Sequence, residues 1–160
     1  MKLAGLGPIG IAAIVSVGFF AEAQAYAGEN DQGAKCSLET LNGQYPVAAN
    51  GMLIPPVQLF GIPPGGPSLV TAAAGYSIYN GDGTGTDYVT FIVNGVNANV
   101  ASPMPTQYTI NPDCTGTKTV LPDGPHFNIF VATDGSALTA VATDQGFSVS
   151  ESDKRVQPSQ

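Results

Sequence analysis

Few residues in this chain are equipped for chemistry. In 160 residues there are two cysteines and one histidine, with twelve acids against five lysines and arginines. Cys36 stands in GAKCSLETLNGQY. Cys114 stands in YTINPDCTGTKTV, where a proline, an aspartate and a glycine mark a turn. Neither thiol has a CxxC partner or a cluster of cations to activate it, so redox chemistry is not indicated. With His126 the only histidine, a histidine-built metal site is excluded. No acids stand at metal-ligand spacing either, so neither a metal nor another cofactor is expected. DGTGTD, Asp82 to Asp87, lacks the ligand order of an EF-hand loop. NGDGTGT has no following lysine and no helix, which makes it a turn and not a phosphate cradle. A nucleophilic serine would need His126 as its base, and no G-x-S-x-G elbow is present. A lone histidine opening a strand is more often a packing residue than a catalyst.

The elements that must position these residues are strands. From Leu41 onward the hydropathy alternates with period two between closely spaced turn signals. Strands are predicted near 41–48, 70–79, 86–93, 97–101, 106–110, 116–121, 126–132, 137–143 and 146–150. Asn80-Gly81-Asp82-Gly83, Asn111-Pro112-Asp113, Pro122-Asp123-Gly124-Pro125 and Thr133-Asp134-Gly135-Ser136 form turns between them. No sustained 3.6-residue apolar period follows Gln24. About eight short strands in succession predict an all-β antiparallel meander, whose edges are best hidden by closing into a small barrel. A two-sheet sandwich is the alternative. The segment NGMLIPPVQLFGIPPGGPSL, residues 50–69, breaks the rhythm. Prolines 55, 56, 63, 64 and 67 deny it ladder hydrogen bonds, so it is expected outside the barrel wall. It is either an ordinary long loop or a lid offering Met52, Leu53, Ile54, Leu59, Phe60 and Ile62 to an apolar ligand.

The N-terminus supplies the compartment. Lys2, an apolar stretch from Ile9 to Phe20, and Ala23-Gln24-Ala25 read as a signal peptide over 1–25, cleaved before Tyr26. The alternative is an uncleaved anchor. Cleavage removes Lys2 and Glu22 together, so the formal charge stays at −7. After cleavage no stable membrane insertion is expected. Without a basic patch, nucleic acid is not an expected partner. The organisation is then a lead over 26–35, a barrel domain over 36–152 and a polar tail over 153–160, secreted or periplasmic. Two cysteines in such a compartment are expected to pair, Cys36 with Cys114. That bond would close a long loop, worth ~4 kcal/mol in the chain-entropy picture.

The motifs CSLETLNGQY, YNGDGTGTDYVTF, YTINPDCTGTKTV, HFNIFVATDG and VATDQGFSVS occur in that order between Cys36 and Ser150. In this the chain resembles the exported proteins of the allene-oxide-cyclase-barrel-like group, the NPDCTGT turn being the most specific part. The resemblance implies a small eight-stranded, calycin-like barrel. It does not imply the cyclase reaction, and Pro46-Val47-Ala48-Ala49 follow Tyr45 where the first strand would need an acid. The alternation leaves open which strand faces point inward. Phe60, Tyr88, Phe91, Tyr108, His126 and Phe127 are the candidate ligand contacts. Three functions remain: a barrel binding a small apolar molecule in its lumen, a cyclase or isomerase working in that cavity, or a secreted interaction protein with a filled barrel. An ionisable group at the base of a cavity would favour the enzyme.

Overall fold

The computed structural model describes residues 35–57, 60–100 and 102–156. The expected leader over 1–25, nearly all of the lead, Leu59 of the proline-rich segment and the last residues of the expected tail lie outside that range. The strands are β1 (Asn42–Leu53), β2 (Leu69–Asn80), β3 (Thr84–Val93), β4 (Val96–Asn97), β5 (Met104–Ile110), β6 (Thr115–Val120), β7 (His126–Val131), β8 (Ala137–Ala142) and β9 (Phe147–Lys154). Every pairing is antiparallel. β1, β2, β3, β5, β6, β7, β8 and β9 pair in that order, and β9 returns to β1, closing an eight-stranded barrel. The sandwich alternative is thereby removed. β4 is a two-residue stub paired only with the end of β3, where the longer strand over 97–101 was expected.

The proline-rich segment is shorter than its sequence predicts. Asn50 to Leu53 belong to the wall, where β1 pairs with both β2 and β9. The reason is local: these four residues include no proline and keep the alternation, with Met52 turned out and Leu53 buried. The interruption starts at Ile54, just before Pro55. At the other end of the chain β9 takes in Asp153 and Lys154, both expected in the tail. Asp153 is in phase with Phe147, Val149 and Glu151, and all four are buried.

In a closed meander, successive hairpins open at alternate ends. The β2–β3, β5–β6 and β7–β8 turns therefore share one rim with the chain's entry. This end is shut. Cys36 and Cys114 are bonded, with Cα atoms 5.0 Å apart and a sequence separation of 78. The Cys36 N–H donates to the Pro112 carbonyl. A 3-10 turn, Leu38–Thr40, leads into β1. Tyr45, Tyr79 and Tyr108 fill the barrel beside it, packed edge to face at 5.3 and 5.2 Å between ring centres. The Tyr45 hydroxyl donates to the Gly135 carbonyl at 2.6 Å. The Tyr108 hydroxyl donates to the Leu41 carbonyl at 2.9 Å and accepts from the Gly81 N–H at 3.0 Å. Together with the disulfide, these bonds hold the three hairpin turns against β1 and the segment leading into it.

Candidate functional site

The inward side of each strand determines what the lumen offers. On β1 this side carries Tyr45, Val47 and Ala49; on β2, Thr71, Ala73, Gly75, Ser77 and Tyr79. On β3 it carries Asp87, Val89 and Phe91, and on β9 Phe147, Val149, Glu151 and Asp153. Small residues face one another where Ala49 pairs with Ala73 and Val47 with Gly75. No large side chain from β1 or β2 reaches the axis there, and a cavity of about 90 Å³ remains. That is several times the ~10–15 Å³ one water needs. Its walls include Val47, Ala49, Ala73, Val89, Phe91 and Val149.

The open end lies opposite the tyrosine plug. Phe60 covers it, with its ring stacked on Phe91 at 5.8 Å and on Phe147 at 6.0 Å. Phe60 is positioned by the bridge in which Val57 and Ile62 exchange both backbone hydrogen bonds. It stays partly exposed, whereas Val57 is buried. The shortened proline-rich loop therefore sets one aromatic ring at the cavity mouth.

Toward the plug the cavity is bordered by Asp87 and Glu151. Between them lies Lys118, 1% exposed, with its Nζ 3.0 Å from Asp87 Oδ2 and 2.9 Å from Glu151 Oε1. The Ser77 hydroxyl donates to Asp87 Oδ1 at 2.6 Å. The ammonium also lies 5.7 Å from the ring centres of both Tyr79 and Phe127. Burial opposes its charge, but Tyr79, Glu151, Asp87 and Asp153 outweigh that and hold Lys118 well above the usual lysine range. Asp153 completes the cluster. Burial, reinforced by the charge of Glu151, pushes its carboxyl up to about 9, so it carries a proton at neutral pH. Burial likewise raises the Tyr79 phenol. The side-chain oxygens of Asp153, Tyr79, Thr106 and Thr71 are buried without a protein partner.

No family model, curated protein or solved structure matches this chain. The site is therefore read from its own residues. Of the six expected contacts, Phe60, Phe91 and Phe127 line the cavity together. Tyr108 faces inward but belongs to the plug, its hydroxyl spent on backbone. Tyr88 points out of the barrel and stacks on Tyr76 at 4.8 Å, because it is out of phase with the inward Asp87, Val89 and Phe91. His126 is exposed at the first position of β7, its Nδ1 2.9 Å from Asp144 Oδ1 at the rim.

Sequence reasoning missed Lys118, Asp87, Glu151 and Asp153. A signal was present in the alternation. Lys118 is in phase with Val120, Asp87 with Val89 and Phe91, and the two β9 acids with Phe147 and Val149. A charge sharing the apolar face of a half-buried strand points into the core.

Proposed function

We propose that this protein is an exported barrel that takes up a small, largely apolar molecule in the mouth-side half of its lumen. The observation that carries this reading is the division of the lumen. Three tyrosines fill one half, while alanine and glycine at positions 49, 73 and 75 leave the other open beneath a partly exposed phenylalanine. The signal-peptide pattern over 1–25 and a disulfide of the kind kept in oxidising compartments support export. The likeness to allene-oxide-cyclase-barrel-like proteins is part of the same reading.

The test is titration with 1-hexanol, followed by the methyl resonances of Val47, Val89 and Val149. Saturable shifts confined to these methyls are expected, and their loss in Ala73→Leu, which fills the cavity. Absence of binding in the native protein, or unchanged binding in a folded Ala73→Leu protein, would overturn the proposal.

A cyclase or isomerase has one observation in its favour, the pair of carboxylates at the cavity floor, where a base could meet a substrate. Both are engaged by the same ammonium, so either would have to leave an ion pair in an apolar enclosure before moving a proton. Binding is therefore the better-supported function.

A further inference from the structure

The floor of the cavity is unbalanced in charge. Asp87, Glu151 and Asp153 gather around Lys118, the only buried cation among the described residues. With Asp153 holding a proton, two carboxylates still share one ammonium, an excess of one negative charge. An apolar enclosure tolerates such an excess poorly, because little solvent is present to screen it. One further observation places the excess where a ligand would meet it. Asp87 and Glu151 border the open cavity and are not sealed beneath it. The hydroxyls of Tyr79 and Thr106, at most 2% exposed, have no protein partner. Neither residue lines the cavity: Tyr79 belongs to the plug and lies against Lys118, and Thr106 pairs with Val120, which is on the cavity wall.

We infer that the cavity selects amphiphiles with a cationic head, a short alkyl or aryl body carrying an amine, whose ammonium joins Asp87 and Glu151 at the floor while the body lies against Val89, Phe91 and Val149. This rests on the lumen-binding reading above and adds the chemical class of the ligand. The head would bring the local balance to two positive and two negative charges. It would also present N–H donors to the acceptors that border the cavity. An anionic head would add a third negative charge, so fatty acids of the same length are rejected.

The experiment compares hexylammonium, 1-hexanol and hexanoate on the full native protein at neutral pH by calorimetric titration. Hexylammonium should bind at least tenfold more tightly than hexanol, with hexanoate weaker than either. In Glu151→Gln the floor becomes one carboxylate facing one ammonium, and the preference for hexylammonium over hexanol should fall to threefold or less. Asp87→Asn provides the same comparison if Glu151→Gln does not fold. Equal affinity for hexanol and hexylammonium in the native protein would overturn the inference and leave lumen binding standing, as would an ammonium preference that survives removal of the carboxylate. If none of the three binds, lumen binding itself fails.

Discussion

At the scale of single residues, Asp153 is the most informative. Its carboxyl sits 1% exposed among Lys118, Glu151 and the plug tyrosines, and its pKa is raised to about 9. In the unfolded chain the same group releases its proton near pH 4. Between these two values the folded state holds a proton that the unfolded state has lost, so this residue's contribution to stability falls as pH rises through the window. Linkage limits the slope to ~1.4 kcal/mol per pH unit. Asp153→Asn keeps the shape and removes the titration. Urea denaturation at pH 5, 6.5 and 8 should show the variant gaining on the native protein at each step. Stability curves that stay parallel would mean that Asp153 is ionised in the fold throughout. The same cluster shows where sequence reading reached its limit. That Phe60, Phe91 and Phe127 line a cavity was legible because large aromatics in an all-β chain mark its apolar surfaces. The charged quartet was missed because charge usually signals the solvated face, and its phase with the apolar residues of each strand was the only sign that it points inward.

At the scale of the element, the turns were the legible part and the strand ends were not. Asp82 and Asp113 each accept from the hydroxyl and backbone N–H of a Thr two residues on, and Asp134 accepts from the backbone N–H of Ser136. That local chemistry is written in the sequence as Asp-x-Thr or Asp-x-Ser. β1 ran past its expected end because its last four residues are stabilised by partners on β2 and β9, which are distant in sequence. The curvature of the wall was equally hidden. Gly75, in the middle of β2, faces inward where β2 crosses close to β3, and a Cβ there would lie 2.0 Å from the Tyr88 carbonyl oxygen. Gly75→Ala must therefore push two paired strands apart. A loss of ~1–3 kcal/mol is expected from a forced backbone shift of this kind. Thermal melts of Gly75→Ala against Ala74→Gly, an outward neighbour, separate this clash from propensity: the inward change should cost more. A Gly75→Ala protein as stable as the native one would show that the wall can flatten at that point.

At the scale of the whole molecule, charge is distributed in an unusual way. The outward positions of the eight barrel strands hold a single formal charge, Lys154, and otherwise Thr, Ser, Asn, Gln and apolar residues, with His126 at one strand start. Among the described residues the acids lie on turns or inside. These nine acids are thus carried by the rims and the lumen, and the wall is hydrated mainly through hydroxyls and amides. A closed meander was readable from strand spacing alone, since each strand only has to find its neighbour in sequence. The single long-range step, β9 meeting β1, follows once the other seven pairings are made.

The Cys36–Cys114 bond also determines how the molecule responds to mechanical load. Tension applied between the two ends of the described chain enters at Cys36 and crosses directly to Cys114, so β1 to β5 form a loop that bears no load. Only the stretch from β6 to β9 can be drawn out while the bond is closed. Reduction releases the chain between the cysteines, a sequence separation of 78, which at ~3.6 Å per extended residue adds about 280 Å of contour length. Single-molecule extension with and without reductant should differ by that length, and identical traces would show the cysteines unpaired. A barrel built this way has a tear-resistant half, which includes both walls of the Ala49–Ala73 gap, and a half that can unravel, which carries Lys118, Glu151 and Asp153. Under load the charged floor would be lost first, while the apolar wall of β1 to β3 is still held in its ring.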